Sequence, residues 1–444
     1  MTIYALSSGS GASGVAVIRV SGKNTAEVVK KLTKSKLPRP RVATLKKFNK
    51  NGGKELIDEG VIIWFPGPNS YTGEDLAEFH VHGSRAVINA MHLSISKIKN
   101  CRLAEPGEFT KRAFQNRRIN LLKAESIGDL IASETEIQRK QALKIMSGKS
   151  SDQFNLWREK LLKILTHVEA KIDFPDEDLP KNIISEIQKT SYSVLTEIKK
   201  TLNDQKVGER IREGFKIAIV GPTNAGKSSL LNYLSRRDAA IVSEIAGTTR
   251  DVIETHLNIN GYPVIVSDTA GIRESKDEIE KRGVRLALKK TEDADLNIIV
   301  IEPKNPHFTG FLKGLVSNEK TLIVVNKSDL GVDQMFDDFK KYNPIYISLR
   351  KDKNINSLVS AIKEKLKNQF MNSENILITR ERHRQNLEQC VLHLENFKNK
   401  NHLEEFDKAA EDLRLATRHL GIIVGKVDVE EILDSIFNDF CIGK

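Results

Sequence analysis

The chain has 444 residues and only three cysteines, Cys101, Cys390 and Cys441. An odd, dispersed set of thiols cannot build a disulfide framework, and no pair has the short spacing of a zinc knuckle. A reducing compartment follows. Long apolar runs are missing too: none reaches the roughly 18 residues of a membrane span. The opening Met1-Thr-Ile-Tyr-Ala-Leu has no basic n-region and no Arg-rich transit pattern. The expectation is a cytoplasmic protein with no membrane partner. With 39% apolar and 29% charged residues, collagenous and wholly disordered classes are excluded. The length suggests about three domains.

Acidic residues are absent from one stretch. Lys30 to Lys54 holds ten Lys and Arg and no Asp or Glu. The whole chain carries a formal charge of +11. Met1 to Arg118 has twenty basic residues against nine acidic ones, so the surplus lies entirely there and the remainder is balanced. Such a surplus hints at an anionic partner; a plain solubility charge is the bland alternative.

Four blocks can be told apart. Residues 1–118 mix short β-branched runs (Gly14 to Val20, Val61 to Phe65) with turn clusters such as Phe65-Pro-Gly-Pro-Asn-Ser, which reads as an α+β domain. Residues 119–210 are helical: Phe154, Trp157, Leu161, Leu165, Val168 and Ile172 form one amphipathic stripe. Residues 214–370 alternate helical stretches with apolar strands at Lys216 to Val220, Val264 to Ser267, Leu296 to Ile301, Thr321 to Val325 and Pro344 to Ser348. That pattern predicts a mainly parallel sheet wrapped by helices, with Asn260-Gly261 a type I′ hairpin turn. Residues 376–444 are helical again, and Asp428 with Glu431 resembles a capping box. The two helical blocks are expected to pack as one domain with the α/β block inserted, since each stripe needs a partner surface.

The α/β block carries the chemistry. Gly221-Pro-Thr-Asn-Ala-Gly226-Lys227-Ser228 fits the phosphate loop G-x-x-x-x-G-K-[ST] and sits between a strand and a helix. Its glycines let backbone N–H groups close around phosphate oxygens at a helix N-terminus. Lys227 is expected to reach the β- and γ-phosphates, and the Ser228 hydroxyl to ligate Mg²⁺. Asp268-Thr269-Ala270-Gly271 ends a later strand, where a carboxylate can hold Mg²⁺ through water. Asn326-Lys327-Ser-Asp329 ends another. An Asp carboxylate can accept from guanine N1–H and the N2 amino group together, donors that adenine does not offer. Gly247-Thr248-Thr249 lies between these motifs as a switch loop should, with Thr249 a candidate Mg²⁺ ligand. Together they point to GTP. The position after Gly271, where Ras-like proteins place a water-orienting Gln, is Ile272. Another group must position the water, and Asp277-Glu278-Ile-Glu280 supplies candidates.

Beyond these motifs, the chain resembles the MnmE (TrmE) family of tRNA modification GTPases over essentially its whole length. The resemblance rests on Phe65-Pro-Gly-Pro-Asn-Ser-Tyr-Thr-Gly-Glu-Asp, Pro106-Gly-Glu-Phe, Asp173-Phe-Pro-Asp-Glu, Asn224-Ala225-Gly226-Lys227-Ser228-Ser229-Leu-Leu-Asn, Ile245-Ala246-Gly247-Thr248-Thr249-Arg-Asp, Asp268-Thr-Ala-Gly and the terminal Cys441-Ile-Gly-Lys444. It implies an N-terminal α+β folate-binding domain that also dimerises, and a central helical domain with an inserted Ras-like P-loop GTPase domain. It implies a homodimer, a MnmG-like flavoprotein partner in a heterotetramer, and tRNA as substrate, modified at carbon 5 of the wobble uridine. The one-carbon unit is implied to come from a tetrahydrofolate derivative, 5,10-methylene- or 5-formyl-tetrahydrofolate.

Carried over by residue, the resemblance implies K⁺ ligation by Asn224, with Ser243, Ile245 and Thr248 completing the site beside Glu244 and Ala246. It makes Glu280 the catalytic carboxylate, acting through water beside Lys227. For folate it implies Arg19, Glu78, Arg118 and Lys444; a cross-strand ion pair is the plain alternative for Glu78. Ser348-Leu349-Arg350 stands for the family's Ser-Ala-Lys/Arg guanine loop, where a backbone N–H does the work. Thr223 replaces the usual Pro. The rival expectation, a ribosome-assembly GTPase without modification chemistry, wants an appended RNA module, and no Gly-x-x-Gly clamp follows Ser373.

Overall fold

The computed structural model describes residues 1–9, 11–50, 53, 55–173, 183–237, 254–268, 289–303, 314–316, 320–331, 342–370, 376–400, 406–427, 433, 436–438, 440 and 443. The chain divides into two compact units. One comprises Met1–Gly128, Ile145–Tyr192 and Leu392–Lys444; the other comprises Asp129–Lys144 and Ser193–Val391.

The first unit begins with β1 (Thr2–Leu6), β2 (Ser13–Ser21), α1 (Thr25–Thr33), β3 (Thr44–Asn49), β4 (Leu56–Phe65), β5 (Leu76–Gly83), α2 (Arg85–Ser96), β6 (Cys101–Leu103) and α3 (Glu108–Gln115). The strands form one sheet in the order β3-β4-β5-β2-β1-β6. Neighbours run antiparallel except β1 and β6. Period-two alternation decides its faces. Ala16, Ile18 and Val20 of β2 are buried and join Phe48, Ile62, Trp64 and Phe79 from neighbouring strands. Val28, Val29 and Leu32 of α1 and Met91 and Ile95 of α2 close the same core. The Ser84 hydroxyl caps α2 by accepting from the Val87 N–H at 3.2 Å.

Helical segments follow: α4 (Leu121–Ile131), α5 (Glu136–Met146), α6 (Lys149–Asp173), α7 (Ile183–Leu202) and α8 (Val207–Glu213). The α6 stripe is real. Phe154, Trp157, Leu161, Leu165 and Val168 are buried, and Ile172 is half-buried at the helix end.

The inserted α/β portion contains β7 (Phe215–Val220), α9 (Lys227–Arg237), β8 (Glu254–Ile259), β9 (Tyr262–Asp268), β10 (Leu296–Ile301), β11 (Thr321–Val325), β12 (Ile345–Tyr346) and α10 (Ile355–Phe370). Then come α11 (Glu381–Asn399) and α12 (Phe406–Val424). The sheet order is β12-β11-β10-β7-β9-β8, parallel apart from β8. Every residue of β10 is buried, as a central strand covered on both faces requires. Ile298 and Val300 meet Leu230, Leu234, Leu358 and Ile362 on one side. Ile299 and Ile301 meet Val220, Ile323 and Val325 on the other.

Asn260 and Gly261 join β8 to β9 with φ of 56° and 89°, both positive as a type I′ turn demands. The antiparallel β8 that this hairpin requires was not among the expected strands. The expected Pro344 to Ser348 strand shortens to Ile345–Tyr346, because Ser348 turns away to bridge Lys353. In the first unit α6 packs on α12, where Arg414 Nε donates to Glu169 Oε1 at 2.9 Å. Phe437 and Phe440 pack there against Leu121 and Ala124. The Asp428–Glu431 capping box lies outside the described residues. No helix among the described residues is long and apolar enough to cross a membrane.

Candidate functional site: a nucleotide cleft and a paired arginine

The loops after parallel strands converge at one sheet edge, and this edge holds the cleft. β7 feeds residues 221–226, β11 feeds Asn326 to Asp329, and the segment after β12 supplies Ser348, Leu349 and Arg350. These three stretches, more than a hundred residues apart at the extremes, line one cleft of about 940 Å³. Thr223, Asn224, Gly226, Lys227, Ser228 and Ser229 form its phosphate-loop wall. Ala225 is fully buried beneath it.

Local backbone chemistry explains the wall. Asn224 adopts φ 64° and Gly226 φ 99°. A Cβ on Gly226 would sit 2.2 Å from Asn326 Nδ2, so only glycine fits. Asn326 Nδ2 donates to Ala225 O at 2.9 Å, which ties the guanine loop to the phosphate loop. The Lys227 ammonium is buried and donates to Gly221 O at 3.0 Å and Pro222 O at 2.8 Å, so it is held inside the loop it serves. Ser228 and Ser229 open α9 with exposed side chains, adding the positive end of a helix.

At the other end, Ser348 Oγ donates to Asp329 Oδ1 at 2.6 Å. That bond lowers the Asp329 pKa, so the carboxylate stays charged and held in place at the cleft. The Leu349 N–H, expected to serve guanine, donates to Asn326 Oδ1 at 3.3 Å, while its side chain packs partly against the core. Sequence reasoning missed two cleft supports. Lys327 pairs with Glu302 (Nζ to Oε2, 2.5 Å), and Tyr233 donates to Asp352 Oδ1 at 2.6 Å. Glu302 follows β10 directly; its signal was a charged residue at a strand end beside the site.

The backbone of Asp268 lies at the end of β9, in register with Ile219 of β7, and hence beside the phosphate loop. Its side chain, together with Ser243, Glu244, Ile245, Ala246, Gly247, Thr248, Thr249, Thr269, Ala270, Gly271, Ile272, Glu280, Cys441 and Lys444, lies outside the described residues. Of the expected metal ligands, Asn224 and Ser228 are described, and both border the cleft with hard oxygen donors.

The second candidate site occupies the first unit. Arg19 of β2 and Glu78 of β5 stand directly opposite in the antiparallel register. Arg19 Nε and Nη2 donate to Glu78 Oε1 at 3.1 and 2.8 Å. The cross-strand ion pair is therefore what the structure holds. Arg19 also lies over the Tyr71 and Phe109 rings at 5.5 and 5.7 Å. Its Nη1 donates to Gly443 O at 3.5 Å, and Ser7 Oγ donates to the same carbonyl at 2.9 Å. Gly443 is thus held beside the pair. Glu78 Oε2 and the buried His80 Nε2 face each other at 3.6 Å, and neither makes a hydrogen bond among the described residues. Both keep hydrogen-bonding capacity for a polar ligand. A two-point grip by Glu78 would require Arg19 to release Oε1. Arg118 is exposed and lies against Gly73, whose added Cβ would come within 3.3 Å of Arg118 Cγ.

Comparison with known proteins shows the family. A model of the MnmE helical domain matches residues 121–441, and one of the GTP-binding protein TrmE N-terminus matches residues 2–118. A tRNA modification GTPase MnmE of Pelagibacter ubique (strain HTCC1062) is 69% identical over 444 residues, covering 100% of both chains. The chain belongs to the MnmE family. The MnmE proteins of Rickettsia bellii (strain RML369-C) and Parvibaculum lavamentivorans are each 44% identical, again over 100% of both chains. A departure from the MnmE pattern such as Leu349 therefore sits inside a full-length family match.

Proposed function

We propose that this chain is a potassium-stimulated GTPase that modifies carbon 5 of the tRNA wobble uridine together with a MnmG-like flavoprotein. That it is a GTPase of tRNA modification follows from its family. The nucleotide part of this reading is supported by one observation above the rest: phosphate-loop and guanine-loop residues distant in sequence line a single cleft.

In this reading Asp329 selects guanine by accepting from N1–H and the N2 amino group. Lys227 and the amides opening α9 take the β- and γ-phosphates. Potassium, held by Asn224, Ser243, Ile245 and Thr248, supplies positive charge where other G proteins use an arginine finger. Magnesium, held by Ser228 and Thr249, neutralises phosphate charge. Glu280 orients the attacking water, which removes the need for a hydrogen-bonding side chain at Ile272. A tetrahydrofolate derivative supplies the one-carbon unit; Arg19, Glu78, Arg118 and Lys444 bind and orient it. Hydrolysis drives conformational change in the complex of a homodimer with its flavoprotein in the cytoplasm.

The deciding experiment is mass spectrometry of tRNA nucleosides from cells lacking the gene. Loss of the modified wobble uridine, restored by the wild-type gene, is expected; an unaltered wobble uridine refutes the modification role. Hydrolysis measured in potassium against sodium tests the cation: equal rates refute it.

A further inference from the structure

The charge surplus of the first 118 residues becomes a surface in the fold. Lys30 and Lys31 occupy the outward face of α1, opposite the buried Val28, Val29 and Leu32. Lys34 caps that helix, Lys36, Arg39 and Arg41 lie in the connection, and Lys46 and Lys47 lie on β3. β3 is the edge strand of its sheet. These pieces are contiguous. α1 packs on β3, Asn49 Nδ2 donates to Leu32 O at 3.4 Å, and the Lys34 ammonium reaches Gly53 O in the β3–β4 turn. One margin of the domain therefore carries the described residues of the acid-free segment.

Most of these charges are unspent. Lys31 pairs with Glu27 and Lys50 with Glu55. Lys30, Lys36, Arg39, Lys46 and Lys47 make no ion pair among the described residues, and all but the half-exposed Lys46 are exposed. Two structural devices account for part of the set. A helix C-terminus favours cations, which suits Lys30 and Lys31. Edge-strand lysines prevent sheet-to-sheet pairing, which suits Lys46 and Lys47 beside the exposed Leu45. Neither device reaches Lys36 or Arg39, and neither calls for the absence of every acid over the segment.

The geometry points to this margin as a polyanion-binding surface, and we infer that its occupant is the phosphate backbone of the RNA substrate. β3 alone spans about 20 Å at six residues, long enough for several successive phosphates. A single small anion would use one or two of these charges. This inference rests on the tRNA reading above for the identity of the polyanion, and it is independent of the nucleotide cleft.

The test neutralises four residues at once in the full-length protein: Lys36→Gln, Arg39→Gln, Lys46→Gln and Lys47→Gln. A control variant of equal net charge carries Lys123→Gln, Lys189→Gln, Lys351→Gln and Lys353→Gln. Binding of a labelled tRNA transcript is titrated from 50 to 300 mM KCl. Each lost phosphate contact makes the slope of log K against log salt shallower by about 0.7–0.9, so four lost contacts are expected to change it by about three to three and a half. Affinity at low salt should fall at least about tenfold, with GTP hydrolysis and thermal unfolding unchanged. The control should keep the wild-type slope. Wild-type slope and affinity in the four-residue variant overturn the surface while leaving the tRNA reading intact. Equal losses in variant and control overturn it in favour of bulk charge. Selective loss of binding to phosphatidylglycerol vesicles, with tRNA binding kept, overturns it in favour of a membrane surface. Absence of tRNA binding by the wild-type protein overturns both readings.

Discussion

The nucleotide cleft and the Arg19–Glu78 site are built in opposite ways. The cleft is assembled from short contiguous motifs, each of which dictates its own backbone: a Gly226 that admits no Cβ, an Asn224 with positive φ, a helix that begins at the lysine. The Arg19 site is assembled from single residues on β2, β5, the 69–75 turn and α3, with Gly443. The cleft's groups are fixed by neighbours within the same loops. The second site's groups are fixed by each other, through an ion pair that any ligand must share or displace. Motif-built sites therefore declare themselves in sequence, and pair-built sites declare only their members.

Four experiments press on that contrast. The largest effect is expected from Asp329→Asn. Exchanging the charged acceptor should reduce GTP preference over xanthosine triphosphate by about a hundredfold or more, read by competition binding; an unchanged preference removes Asp329 from base reading. Next, Glu280→Ala should lower kcat by about a hundredfold while GTP affinity stays within about twofold. A parallel loss of affinity would make Glu280 a binding residue instead.

Arg19→Met should weaken tetrahydrofolate binding by about tenfold and leave GTP hydrolysis unchanged. If folate binding were instead to tighten, Arg19 would be a competitor for Glu78 and the site would be a structural pair. The smallest effect is expected from Glu302→Gln. Freeing the Lys327 ammonium should raise the GTP dissociation constant only several-fold, and Glu302→Asp should recover part of it.

Acidity separates the regions further. Burial opposes ionisation of Glu108, but hydrogen bonds from Arg102, the Glu105 N–H and Arg112 outweigh it and hold the carboxyl below its usual pKa. A lowered folded value means stability that is full above the ordinary carboxylate range and is lost as pH falls through the lowered value. The N-terminal sheet, with Glu108 anchoring α3 to Arg102, should therefore loosen in acid, and Glu108→Gln should flatten that dependence in thermal unfolding.

Much of the architecture was legible. The α6 stripe, the central strands β10 and β11 and the Asn260-Gly261 turn follow from periodicity and turn chemistry, which act over a few residues. Strands β1, β3, β5, β6 and β8 were missed because each is made a strand by the partner beside it and not by its own apolar pattern. β3, for instance, has one buried hydrophobic residue, Phe48, and is a strand because β4 lies beside it. Glu302 and Tyr233 escaped notice for the same reason: nothing within their own segments shows that Lys327 or Asp352 will be adjacent.

By itself, the order of residues determined that this chain binds a guanine nucleotide in the MnmE manner, because those motifs encode backbone geometry locally. It determined the size and the address of the charge surplus as well, since charge is additive along a chain. Only the tertiary structure decided that Arg19 faces Glu78 beneath Gly443, because antiparallel register alone sets which residues stand opposite. Only the fold, likewise, brought the described residues of an acid-free segment onto one margin, by laying α1 beside an edge strand that pairs with β4 alone among the described strands.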